Sequence, residues 1–92
     1  LSNFRIFETD QFISDQEAIQ PQAKAKLYIK IREYVYKQMS ENPYFGNNIK
    51  KLKDFSPQTW RYRIGNYRLF YEIDDKEKII FVTALSKRKD AY

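Results

Sequence analysis

The run from Trp60 to Ile73 constrains this chain more than any other stretch. Trp60, Tyr62 and Ile64 alternate with Arg61 and Arg63, Gly65-Asn66 interrupts, and Tyr67, Leu69, Tyr71 and Ile73 then alternate with Arg68, Phe70 and Glu72. Alternation at period two in aromatic and branched residues marks a half-buried strand, and a two-residue break carrying Gly marks a tight hairpin turn. Such a turn fixes the pairing: Ile64 opposite Tyr67, Arg63 opposite Arg68, Tyr62 opposite Leu69, Arg61 opposite Phe70. Paired residues share a face. Trp60, Tyr62, Ile64, Tyr67, Leu69, Tyr71 and Ile73 are therefore expected to pack inward, and Arg61, Arg63 and Arg68 to gather on the other side.

That gathering has a cost. Two guanidiniums about 5 Å apart repel by roughly 1 kcal/mol in water and about 3 kcal/mol at an effective dielectric of 20. Glu72, diagonal to Arg61, is a nearby counter-charge, but one carboxylate cannot pair three guanidiniums. A bound anion removes the repulsion, and the forked donors of Arg match phosphate in particular.

The remaining segments fall into place around the hairpin. Phe4 to Phe7 reads as a short strand. A helix follows, opened by Thr9 with Asp10 in its first turn or by Ser14-x-x-Glu17 as a capping box. Pro21 suits the first turn of a second helix, in which Leu27, Ile31, Val35 and Met39 recur every four residues, Tyr28 and Tyr34 widen the stripe, and Asn42-Pro43 ends the run. Residues 44–56 form a basic connector containing Lys50-Lys51-Leu52-Lys53. Asp74 to Glu77 makes a turn, and Ile79 to Leu85, apolar on both faces, has the composition of a central strand. The expectation is an α+β fold: a small antiparallel sheet with an N-terminal strand and two helices packed on one face, in the order β-α-α-β-β-β, as one domain spanning residues 1–92.

Composition narrows the chemistry. The 92 residues include no Cys and no His. Disulfide frameworks, thiolate nucleophiles, zinc fingers, His-dependent triads and ordinary zinc hydrolases are excluded; the expectation is a chain with no cofactor and no metal site. Catalysis would have to come from Lys, Arg, Tyr, carboxylates or hydroxyls. No apolar run approaches the roughly 20 residues of a membrane-spanning helix, and a cytoplasmic location without membrane association is expected. Residues 1–46 carry six bases and six acids, whereas residues 47–92 carry eleven bases and six acids, so the whole net charge of +5 lies in the second half. The bases cluster at Lys50, Lys51 and Lys53, at the three hairpin arginines, and at Lys87, Arg88 and Lys89, which points to a polyanionic partner.

The connector, the run Trp60-Arg61-Tyr62-Arg63-Ile64-Gly65-Asn66-Tyr67-Arg68-Leu69-Phe70-Tyr71-Glu72-Ile73 and the ending Lys87-Arg88-Lys89-Asp90-Ala91-Tyr92 together resemble the RelE/ParE superfamily of bacterial toxins, and RelE-type members above all. The resemblance covers about half the chain. It implies a RelE-like fold and a toxin of a type II toxin-antitoxin system: a ribosome-dependent, metal-independent endoribonuclease that cleaves translated mRNA in the A site, held inactive by a cognate antitoxin. Carried over by position, Arg61 and Arg63 match the basic pair of the first hairpin strand and Arg68 the Arg of the second. Arg88 matches the basic residue of the tail, and Tyr92 the terminal aromatic. In 2'-hydroxyl attack on the adjacent phosphate, Arg68 with Arg61 or Arg63 would stabilise the phosphorane, Arg88 would protonate or neutralise the leaving oxygen, and Tyr92 would orient a base or remove a proton. Lys50, Lys51, Lys53 and Lys89 would hold RNA.

The chain departs from the family pattern where many relatives read Gly-His-Arg against Ser86-Lys87-Arg88, and where some carry Lys in place of Arg61 and Arg63. Neither Arg is a credible base. Lys87, Tyr92, Glu72 and Asp90 all stay open for that role. Two further functions are compatible with the sequence: a ParE-type inhibitor of DNA gyrase, and a non-catalytic RNA- or ribosome-binding module.

Overall fold

The computed structural model describes residues 3–87. Its elements are β1 (Arg5–Glu8), α1 (Asp10–Glu17), α2 (Pro21–Lys30), α3 (Tyr36–Glu41), β2 (Ile49–Lys51), β3 (Trp60–Ile64), β4 (Tyr67–Asp74) and β5 (Ile79–Lys87). The five strands form one sheet in the order β1-β5-β4-β3-β2. The hairpin has the expected register, with Ile64 opposite Tyr67, Arg63 opposite Arg68, Tyr62 opposite Leu69 and Arg61 opposite Phe70. Gly65 sits at φ +56°, as a tight turn of this kind demands at its first central residue.

The sheet is mixed. β2 to β5 pair antiparallel, but β1 runs parallel to β5, from Arg5 opposite Ile79 to Glu8 opposite Val82. Turns and short loops fix the direction of the later strands, whereas β1 reaches the sheet through helices and no hairpin constrains its direction. β5 consequently lies between β1 and β4 as a central strand, with Ile80, Val82 and Leu85 buried toward the helices and Ile79 and Phe81 on the other side of the sheet.

Of the two helix starts open in the sequence, the first is realised. Thr9 Oγ1 accepts from the Phe12 amide at 3.2 Å and donates to the Val82 carbonyl at 2.9 Å, so one hydroxyl caps α1 and ties it to β5. The second helix runs without a break from Pro21 to Glu41, with a π turn over Ile31–Val35 joining α2 to α3. Four residues overshoot an α-helical turn by about 40°, and the wider π turn takes up that drift. Leu27, Ile31, Val35 and Met39 all stay buried as a result, none more than 6% exposed. Tyr28 and Tyr34 do not widen the stripe: they are 40% and 69% exposed. Each lies about 100° around the helix from a buried neighbour, and Tyr28 instead lies under the Arg32 guanidinium, 3.9 Å from its ring centroid.

These helical residues and Phe12 meet Tyr62, Ile64, Leu69, Tyr71, Ile80, Val82 and Leu85 on one side of the sheet. The buried phenols are satisfied, as burial requires: Tyr62 donates to Gln38 Oε1 at 2.6 Å and Tyr71 to the Pro43 carbonyl at 2.8 Å. Burial, and then the neighbouring Tyr62 phenol, push the Tyr71 phenol above its ordinary pKa. Among the described residues no helix is long and apolar enough to cross a membrane.

Candidate nucleic-acid interface

With the helices on one side, strand parity puts the alternate residues of β2, β3, β4 and β5 on the other. The connector contributes more than its sequence suggests, because Ile49–Lys51 forms the short edge strand β2, with Lys50 opposite Arg61 and Lys51 opposite Trp60. Lys50 therefore shares the open face with Arg61. The Arg63 amide extends this pairing by donating to the Asn48 carbonyl at 2.9 Å. Two rows of side chains result: Arg63, Arg68 and Ser86 in one, and Lys50, Arg61, Phe70 and Ala84 in the next. Arg63 is exposed, and Arg61 and Arg68 are half-buried.

A β-bulge decides what β5 adds to these rows. Phe70 lies opposite Ala84, but Tyr71 lies opposite Val82, so Thr83 is the extra residue, and its hydroxyl donates to the Phe70 carbonyl at 3.2 Å. The inward positions of β5 pass from Ile80 and Val82 to Leu85 across this step. Continued without the bulge, the register of Tyr71 with Val82 would set Leu85 opposite Arg68 and turn Lys87 to the open face at the hairpin turn. With it, Ser86 stands opposite Arg68, and Lys87 pairs with Tyr67 on the other side, where it lines a cleft of about 390 Å³ with Asp15, Ala18, Tyr67 and Leu85. The far end of β5 is held in place by α1, since the Leu85 amide donates to Asp15 Oδ2 at 2.9 Å.

The candidate residues are thus sorted. Lys50, Arg61, Arg63 and Arg68 share one face. Lys51 turns to the opposite side, its ammonium 5.8 Å from the Trp60 ring centroid, and exposed Lys53 lies beyond the end of β2. Lys87 faces away. Arg88, Lys89 and Tyr92, like Asp90, lie outside the described residues. Glu72 is on the open face one row beyond Phe70, opposite Phe81. Sequence reasoning missed Ser86, because the bulge at Thr83 carries no Gly to signal it. Among the described residues no group of His, Cys, Asp or Glu is placed to hold a metal ion.

A row with Arg63 facing Arg68, backed by a row with Lys50 facing Arg61, gathers four cationic side chains whose guanidinium and ammonium donors are of the kind that bind phosphate oxygens. The family model described as "ParE toxin of type II toxin-antitoxin system, parDE" matches residues 6–92. Comparison with curated proteins gave no match. The fold is similar to that of the toxin-antitoxin complex RelBE2 from Mycobacterium tuberculosis, at 22% identity and TM-score 0.75 over 98% of this chain and 97% of that one. It is also similar to the RelE-RelB complex of Pyrococcus horikoshii, at 20% identity and TM-score 0.71 over 97% and 99% of the two chains. A third structure, the YoeB/ParE toxin from Agrobacterium tumefaciens, matches at 18% identity and TM-score 0.72 over 94% of this chain and all of that one. From the match over residues 6–92, carried on the fold and hairpin described above, the chain belongs to the ParE toxin family of type II toxin-antitoxin systems, within the RelE/ParE superfamily.

Proposed function

We propose that this toxin is a metal-independent endoribonuclease that cleaves translated mRNA in the ribosomal A site. The observation that carries the reading is the register of the hairpin: Arg63 opposite Arg68, with Arg61 and Lys50 paired in the adjoining row, on the side of the sheet away from the helices. Cleavage by attack of the ribose 2'-hydroxyl on the neighbouring phosphate builds negative charge on the phosphorane, and fixed guanidiniums stabilise that charge without reorganising. Arg68 and Arg63 take this role. Arg61 and Lys50 hold the adjoining phosphate, and Ser86 offers a hydroxyl beside Arg68. Among the described proton-transfer candidates Glu72 shares the face and Lys87 does not.

The test is a translation reaction on a defined mRNA, with cut sites mapped by primer extension in the presence and absence of ribosomes. Cuts confined to A-site codons and dependent on ribosomes are expected. Arg68→Ala should lower the cleavage rate by about 10²- to 10³-fold, the usual effect of removing one charge-stabilising donor, while circular dichroism stays unchanged. Wild-type cleavage by that variant would overturn the assignment.

The match to the ParE toxin model favours a second reading, a gyrase inhibitor that does not cut RNA. Stoichiometric loss of supercoiling with mRNA intact would establish it. In either case we infer a cognate antitoxin. The Mycobacterium and Pyrococcus structures are toxin-antitoxin complexes, and a cationic face beside exposed rings suits an acidic segment that folds on binding.

A further inference from the structure

The cationic rows occupy only half of the open face. Further along, β4, β5 and β1 present Phe70, Phe81 and Phe7 on the same side. Phe70 is the strand partner of Arg61, Glu72 lies opposite Phe81, and Phe81 is the partner of Phe7 across the parallel pair. The Phe7 and Phe81 rings meet edge to face, 5.7 Å between centroids, and Phe7 is 55% exposed. Resting on the endoribonuclease reading, we propose that this aromatic strip is a stacking platform for unpaired bases of the RNA whose phosphates lie on the arginine rows, so that the face reads a stretch of single strand rather than one phosphate.

Three observations select bases as the occupant. First, the strip continues the cationic rows: Arg61 and Phe70 are direct partners, and successive same-face residues on a strand lie about 6.7 Å apart, so a short single strand spans both. Second, the strip stands on the side of the sheet away from the helices, the same side as the cationic rows, so one strand of nucleic acid meets both without crossing an edge. Every base has a π face, and single strands are held by such combinations of aromatic platforms and basic tracks. Third, Glu72 projects among the rings. A carboxylate there repels phosphate and accepts hydrogen bonds from base amino groups, so the bases and not the backbone pass over this part of the sheet.

The experiment measures binding of the free toxin at low salt to two probes of equal charge, a single-stranded RNA oligomer and an inorganic polyphosphate that has no bases. Wild type should prefer the RNA. Phe7→Ala and Phe81→Ala should each weaken RNA binding by about 5- to 150-fold, the range for loss of one stacked base, and leave polyphosphate binding unchanged. Phe7 is exposed enough for its variant to fold, which thermal unfolding checks. Phe81→Leu keeps apolar bulk without a π face and should behave like the alanine variant, whereas Phe7→Tyr should retain the preference. Unchanged RNA binding in both alanine variants, or full retention by Phe81→Leu, overturns the platform while polyphosphate binding leaves the cationic rows standing. Failure of wild type to bind either probe overturns the platform together with the reading beneath it. If the alanine variants bind RNA normally but lose an acidic antitoxin peptide, the strip belongs to a protein partner and the proposal is wrong.

Discussion

At the scale of the residue, small polar contacts set where loops meet the sheet, and their protonation states make them testable. The Tyr44 hydroxyl donates to Asp75 Oδ1 at 2.6 Å, bringing the end of the helical segment to the turn after β4. Burial and then this bond push the Tyr44 phenol up to about 12, while the same bond and then the Lys78 ammonium hold the Asp75 carboxyl below its ordinary value. The contact needs a neutral phenol and an ionised carboxylate. The raised phenol contributes stability that is complete below its unfolded pKa near 10 and is lost as pH rises through about 12. The lowered carboxyl contributes stability that is complete above its unfolded pKa near 3.9 and is lost as pH falls through the lower folded value. Tyr44→Phe should therefore lower the urea midpoint at neutral pH, with the gap from wild type closing in strong acid and in strong alkali. A gap that stays constant across the whole range would overturn the assignment of the effect to the bond between the neutral phenol and the ionised carboxylate. Tyr36 belongs to the same class: burial, followed by its hydrogen bond to Glu8 at 2.7 Å, raises its phenol. The Arg32 guanidinium pairs with the same carboxylate at 3.0 Å.

At the scale of the element, the hairpin was legible because every rule pointed the same way: alternation gave the strands, Gly65 gave the turn, and the turn gave the register. β2 was not legible, since three residues are too few to show a period and Lys50-Lys51-Leu52-Lys53 reads as a charged loop. The direction of β1 was equally hidden, because nothing local encodes pairing across about 70 residues. The bulge in β5 was the costliest omission for the site, since the register of Tyr71 with Val82, continued without Thr83, would set Leu85 and not Ser86 opposite Arg68. What holds that part of β5 is α1. β1 pairs with β5 only as far as Val82, and beyond it the Leu85 amide finds its acceptor in Asp15. Asp15→Ala should leave that part-buried amide without its partner and cost about 1–3 kcal/mol in urea unfolding, whereas Asp15→Asn, which keeps a carbonyl oxygen, should cost less. Because the far end of β5 carries Ser86, the alanine variant should also lose RNA cleavage. Wild-type stability of the alanine variant would show that the carboxylate is dispensable to the strand.

At the scale of the whole molecule, the division of charge in the sequence becomes a division of labour in space. The half with no net charge supplies the helices and β1, and the half carrying +5 supplies β2 to β5. Uniform basicity would raise association with any polyanion. Confining four cations to two adjacent rows instead gives binding a countable electrostatic part. Each phosphate neutralised on a single strand contributes about −0.7 to the slope of log affinity against log salt. Three arginines predict a slope near −2, and Lys50, brought into the row only by the edge strand, takes it to about −2.8. Lys50→Gln should return the slope to about −2, and Lys51→Gln, on the opposite side of the same three-residue strand, should leave it near −2.8. The two lysines are adjacent in sequence and equal in charge, so net charge alone predicts the same loss from both. A difference between them measured by salt titration of RNA binding isolates the face, and equal slopes would return the interaction to the general field of a basic protein.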